Sequence, residues 1–127
     1  MSITKTNLTK KPARKRKVLS GVAILAFTIL ILFSGLKVWI KTDANSFAEE
    51  VSKDFQKDKT AALIAVIDSE NYTLKDKNKA IWALGVLKEK EALSKLESLV
   101  TNEECMHEKD LCQYEINKAT KKINGKH

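Results

Sequence analysis

The sequence predicts an all-α protein with one N-terminal transmembrane helix followed by a short array of about five helices. Residues 18–36 form a stretch of 19 residues without a single charge, which is typical of a membrane-spanning helix. Downstream of it, apolar residues recur at spacings of three and four, as they do on amphipathic helices. No segment alternates convincingly between apolar and polar residues, so no strand is predicted.

Length and charge limit the kind of protein that the chain can be. Its 127 residues suffice for one small domain. The formal charge of +7 is unevenly distributed, because residues 1–17 hold seven bases and no acid, whereas residues 42–127 carry a net charge of −2. The basic character therefore belongs to a short tail and not to the folded part. We do not expect nucleic acid to be a partner.

The transmembrane helix is predicted over residues 18–40. At about 1.5 Å per residue, the uncharged stretch covers about 28 Å, close to the hydrocarbon thickness of a bilayer. Lys37 and Trp39 suit the interface, because a lysine can extend to the head groups and a tryptophan prefers that level. The alternative is a cleaved signal peptide, but the apolar run exceeds the usual ~7–15 residues and no A-x-A site follows. A retained membrane anchor is the favoured interpretation.

The residues that flank the span predict its direction. The bases next to it are Arg14, Lys15, Arg16 and Lys17 before the span, and Lys37 and Lys41 after it. Because positive charge concentrates on the cytoplasmic side, residues 1–17 are expected in the cytoplasm and residues 41–127 outside it. The predicted location is the plasma or inner membrane, with the C-terminal domain periplasmic or extracellular and the bilayer itself as one partner.

Cap residues and apolar spacing divide the C-terminal part into helices. Ser46 with Glu49 is predicted to cap a first helix, Asp58 a second, and Thr73 with Asp76 a third. A last helix over about residues 110–123 is predicted from four residues on one face. These are Cys112, Ile116, Ala119 and Ile123.

Residues 79–100, "KAIWALGVLKEKEALSKLESLV", resemble a HEAT-like repeat of the α-solenoid class. Such units combine an A-x-x-A-L-G helix, a charged turn and an A-L-x-x-L-x-x-L helix. The residues that carry the resemblance are Trp82, Ala83, Leu84, Gly85, Ala92, Leu93, Leu96 and Leu99. The turn "KEKE" lacks the proline that is usual in the family. Residues 47–69 are expected to form a degenerate first repeat.

The resemblance implies a stacked-helix array that binds other proteins. We expect Gly85 to let a neighbouring helix approach closely, at a helix-propensity cost of ~1 kcal/mol. Trp82 is expected in the core, with a partner-binding role as the alternative. For Tyr114, core and interface positions are both left open. About three repeats are normally needed for stability, so the array is expected to need a covalent staple or a partner.

The stretch "ECMHEKDLC" holds both cysteines of the chain, Cys105 and Cys112. Outside the cytoplasm the environment is oxidising, so a disulfide between them is predicted. Two unpaired thiols and a metal site are the alternatives. The metal ligands would be Cys105, His107 and Cys112 with a fourth from Glu104, Glu108 or His127, although C-x-H-x4-C is not a typical zinc spacing.

The sequence contains no recognisable catalytic motif. Its four glycines are scattered, so no phosphate-binding loop is predicted, and its two histidines lie near the C-terminus without a nucleophile pattern. We therefore expect a protein-interaction module, an adaptor or accessory subunit, without enzymatic activity or cofactor. The alternatives are a metal- or redox-responsive sensor built on Cys105, His107 and Cys112, and a lytic or toxin-like protein that acts through its span alone.

Overall fold

The computed structural model describes residues 14–101 and 110–125, with side chains from residue 21 onward. Across these residues every regular element is helical, which confirms the all-α prediction. The elements are α1 (Arg14–Phe55), α2 (Lys59–Asp68), α3 (Leu74–Leu87), a 3-10 turn (Lys90–Ala92), α4 (Leu93–Ser98) and α5 (Gln113–Ile123). Two compact units divide the chain, Met1–Leu36 and Lys37–His127.

Helix α1 is one uninterrupted helix of 42 residues. The prediction that Ser46 caps a separate helix, with Glu49 closing a capping box, is therefore wrong. No glycine or proline lies between the apolar run and Phe55, so nothing in the chain forces the helix to end. Ala44, Phe47, Ala48 and Val51 are all buried, and their spacing keeps one helical face packed in the second unit.

The helices that follow begin at the cap residues that the sequence predicts. The Asp58 carboxylate accepts a hydrogen bond from the Ala61 N–H at 3.0 Å. Thr73 and Asp76 form a reciprocal capping box at the start of α3. At the other end of α3, Lys88 adopts the left-handed conformation with φ of 59°, which ends the helix and starts the turn into α4.

The core of the second unit has contributions from all five helices. Helix α3 packs against both α2 and α5, and α4 packs against α5. The buried residues of the core are Ala44, Phe47, Ala48, Val51, Ala62, Leu63, Val66, Ile67, Ala80, Ile81, Ala83, Leu84, Ala92, Leu96, Ile116, Ala119 and Ile123.

Helix α5 begins at Gln113, three residues later than predicted, with Cys112 as its N-cap residue. Cys112, Ile116, Ala119 and Ile123 are buried, as their spacing predicts. Helix α4 is only six residues long, and on its predicted apolar face Leu96 alone is fully buried. Residues Leu93, Leu99 and Val100 lie half-buried against the core.

Candidate functional site

The first part of α1 is an apolar helix whose described side chains are exposed. Over Gly21–Phe55 it is the one helix in the described part of the chain that is long and apolar enough to cross a membrane. From Val22 to Trp39 its large apolar side chains are all more than half exposed, including Phe27, Leu32 and Phe33. Water would not tolerate so large a contiguous apolar surface. Even the Thr28 hydroxyl is satisfied within the helix, because it donates to the carbonyls of Ile24 and Leu25.

The residues that flank this apolar stretch are described only in part. Arg14, Lys15, Arg16 and Lys17 belong to α1, but their side chains lie outside the described residues. Beyond the stretch, Lys37 and Lys41 are exposed, and Trp39 keeps 68% of its surface exposed. An exposed tryptophan beside lysines suits the head-group level of a bilayer.

Cys112 is the N-cap residue of α5. Its side chain is buried, and its backbone N–H donates to Asn78 Oδ1 of α3 at 2.9 Å. Its predicted disulfide partner Cys105, and His107 of the alternative metal site, lie outside the described residues. Among the residues that are described, no group of three or more histidines, cysteines and carboxylates could hold a metal ion.

Gly85 is a position of close approach between α3 and α5. A Cβ atom built on Gly85 would lie 2.7 Å from Ala119 Cα and 2.8 Å from Ala119 Cβ. These distances are shorter than a carbon–carbon contact allows, so only glycine fits here without movement of α5. The close approach expected at Gly85 is confirmed, and the neighbouring helix is α5.

The other residues of the predicted repeat line the same core. Ala83, Leu84, Ala92 and Leu96 are buried, and Leu93 and Leu99 are half-buried. Trp82 is partly buried and packs against the core. For Tyr114 the sequence leaves a core and an interface position open. Its side chain is 64% exposed on α5, with the Lys118 ammonium 5.3 Å from its ring centre.

A polar bridge that sequence reasoning missed joins α1 to α2. Lys59 Nζ donates to Asn45 Oδ1 at 2.8 Å and to Glu49 Oε1 at 2.9 Å, and Asn45 Nδ2 donates to Glu49 at 3.2 Å. The hydrogen bond and the positive charge of Lys59 lower the pKa of Glu49 below its ordinary value. Only the spacing of Asn45 and Glu49 on one helical face gives a local signal of this bridge.

A second contact missed by sequence reasoning joins the end of α1 to the turn before α3. The Tyr72 ring stacks on Phe55 with 5.8 Å between ring centres, and its hydroxyl donates to Asp54 Oδ2 at 3.2 Å. Burial is the main cause that raises the pKa of Tyr72 above its ordinary value, and the hydrogen bond to Asp54 raises it further. The neutral phenol is therefore the form that this contact stabilises.

Helix α2 borders a shallow cleft of about 530 Å³, which we call the α2 groove. The residues that line it are Phe55, Lys57, Ala61, Ile64, Ala65, Asp68 and Ser69. Lys57 is exposed at one end, and at the other Asp68 forms an ion pair with Lys95 of α4. The lining between these charges is apolar, so the groove suits an apolar side chain or helix better than a polar small molecule.

The chain matches no protein-family model, no curated protein and no solved structure. Over residues 14–101 and 110–125 the regular structure is helical throughout, and one helix there is long and apolar enough to span a membrane.

Proposed function

We propose that the protein is a single-pass, membrane-anchored interaction module, an adaptor or accessory subunit whose helical domain lies outside the cytoplasm. The observation that carries the proposal is the exposed apolar stretch of α1. Its side chains need a hydrocarbon environment, and the same helix continues into a packed unit that has its own core. The bilayer supplies that environment, and the packed unit is the part left to interact.

The charge pattern supports the proposed direction. Seven bases and no acid precede the span, whereas the residues from 42 onward are slightly acidic overall. Such an asymmetry favours retention of the N-terminus in the cytoplasm and translocation of the remainder. The HEAT-like resemblance of residues 79–100 supports the interaction role, since solenoids of this class bind proteins through helix surfaces.

Under this proposal, Cys105 and Cys112 form a disulfide. The translocated domain would meet an oxidising environment, and Cys112 is held at the start of α5 by Asn78. A bridge from this position would tie Cys105 covalently to the start of α5. In the chain-entropy model, closing so short a loop contributes roughly 2–3 kcal/mol to the free energy of unfolding.

The interaction role is tested by chemical crosslinking and pull-down from native membranes, comparing the full chain with a chain that ends at Lys41. We expect crosslinked partners for the full chain and their loss from the shortened chain, which keeps the span. The same partners on both chains would contradict the proposal, because the span alone would then account for the interaction.

A further inference from the structure

Helix α2 differs from α5 in what it presents on its outer face. Between Lys59 and Asp68 it has no charged residue, reading "TAALIAVI". Only one side is needed for the core, where Ala62, Leu63, Val66 and Ile67 are buried. A helix that is apolar on all sides is normally covered on all sides.

The outer side of α2 forms the floor of the α2 groove. Ala61, Ile64 and Ala65 follow the spacing i, i+3, i+4, and all three are only partly buried. Small residues one turn apart allow another backbone to approach closely. By contrast, the outer face of α5 is polar, with exposed Asn117 and Lys121. The outer faces of α2 and α5 therefore differ in character.

The charges around the groove indicate which partner would fit. Asp68 is already neutralised by Lys95. Lys57, which lines the groove, has no ion-pair partner within the described residues. As far as the described residues go, the groove thus combines an apolar floor with a lysine that forms no ion pair. A partner with an apolar stripe and an adjacent carboxylate complements both features.

We propose that the α2 groove is the docking site for an acidic amphipathic helix of a partner protein, a proposal that rests on the interaction role above. Two of the three floor residues are alanines, which suits a partner that brings its own large side chains. A lipid surface is instead bound by protruding aromatic and leucine side chains with several bases around them. If a second copy of the chain docked antiparallel through α2, its Asp68 would lie beside Lys57. Asp68 is already paired with Lys95, so it would be a poor partner for Lys57.

The test measures binding of two synthetic peptides to the full chain in phosphatidylcholine nanodiscs, by fluorescence anisotropy with empty nanodiscs as the baseline. Both peptides are amphipathic helices with one leucine–alanine stripe; one carries Glu beside the stripe and the other Lys. The acidic peptide is expected to bind tighter by about fivefold, the upper range for one exposed ion pair. Lys57→Glu should reverse this preference, and Ala61→Arg, which fills the groove, should weaken binding of both peptides.

Lys121→Glu on α5 is the matched control for Lys57→Glu and should leave both affinities unchanged. Ala61→Arg keeps a good helix former at an outward position, and thermal unfolding verifies that each variant folds. Equal affinity for the two peptides, an equal effect of Lys121→Glu, or no binding of either peptide would overturn the proposal. Self-association that Ala61→Arg abolishes would assign the groove to a second copy and overturn it as well.

A photo-crosslinking residue at position 61 or 117 of the full chain, used in native membranes, separates failure of the groove from failure of the interaction role. Crosslinks at position 61 that the acidic peptide competes away support the groove. Crosslinks only at position 117 leave the interaction role intact and remove the groove from it. The absence of crosslinks at both positions would count against both proposals.

Discussion

Gly85 of α3 lies directly against Ala119 of α5, so closely that a Cβ atom on Gly85 would come within 2.7 Å of the Ala119 backbone. The neighbour is a main-chain atom of a packed helix, which cannot rotate away as a flexible side chain would. This contact fixes the distance between α3 and α5, which pack against each other in the second unit.

Gly85→Ala is therefore expected to destabilise the protein although alanine is the better helix former. Overpacking costs about 1–3 kcal/mol, against a gain of about 1 kcal/mol in helix propensity. Thermal unfolding of the full chain in detergent micelles, followed by circular dichroism, should show a lower Tm. For a domain of this size, each kcal/mol corresponds to about 4–8 °C.

Gly35→Ala is the matched control, because a Cβ atom on Gly35 would meet nothing within 4 Å. It should leave the Tm unchanged or raise it slightly. An equal decrease for both variants would show that the loss at Gly85 has nothing to do with Ala119.

Asn78→Ala should loosen the start of α5. Asn78 Oδ1 accepts a hydrogen bond from the backbone N–H of Cys112 at 2.9 Å, and the two residues are 34 positions apart in the sequence. Loss of a partly buried acceptor costs about 1–3 kcal/mol. Hydrogen exchange should show faster exchange at the first turn of α5 than in the wild-type chain.

Asn117→Ala controls for the change in helix propensity, since Asn117 is exposed on α5. Its exchange pattern should match the wild type. Unchanged protection of the Cys112 amide in Asn78→Ala would mean that this hydrogen bond does not hold α5 in place.

The bridge between Lys59 and Glu49 predicts a stability that falls in acid. Lys59 lowers the pKa of Glu49 below its ordinary value of 4.5 in the folded state. A carboxyl group of this kind stabilises the fold above its unfolded-state pKa, and that contribution is lost as the pH falls through the lower, folded-state value.

Tm measured from pH 7 down to about pH 3 checks this expectation. The difference between wild type and Glu49→Gln should be constant at neutral pH and shrink toward zero at the acidic end. Glu97→Gln, at an exposed position of α4, serves as the control. A wild-type advantage over Glu49→Gln that does not depend on pH would contradict the role of the charge.

Local signals predicted several elements of the fold because short-range chemistry determines them. The capping box of Thr73 and Asp76 and the cap at Asp58 are set by residues within three positions of each other. The need for a small residue at Gly85 followed from its place in the repeat-like pattern. The identity of the approaching helix did not, because Ala119 lies far along the chain.

The sequence was misleading at Ser46, where a good cap residue lies inside a helix. At this position tertiary packing outweighs the local cap signal. Ala44, Phe47 and Val51 are buried on one face of the helix, and that face continues on both sides of Ser46. The Lys59 bridge and the contact of Tyr72 with Phe55 were missed for a related reason. Each contact joins two elements, and no local sequence pattern indicates that these elements lie close together in space.

The proposed disulfide predicts a specific change in mass. Intact mass spectrometry of the purified chain should show a species lighter by two hydrogen atoms than the reduced chain, and reduction should abolish the difference. Cys105→Ser should behave as the reduced chain under both conditions. Full alkylation of both cysteines without reductant, or zinc retained in a native spectrum, would contradict the bridge.

The direction of the span is the claim on which the disulfide, the external domain and the proposed docking site all depend. A fusion of alkaline phosphatase after His127, an enzyme that is active only outside the cytoplasm, tests it most directly, with a fusion before Met1 as the control. The account predicts activity for the C-terminal fusion and none for the N-terminal one. An inactive C-terminal fusion, expressed at the same level and accessible only from the cytoplasm, would contradict it.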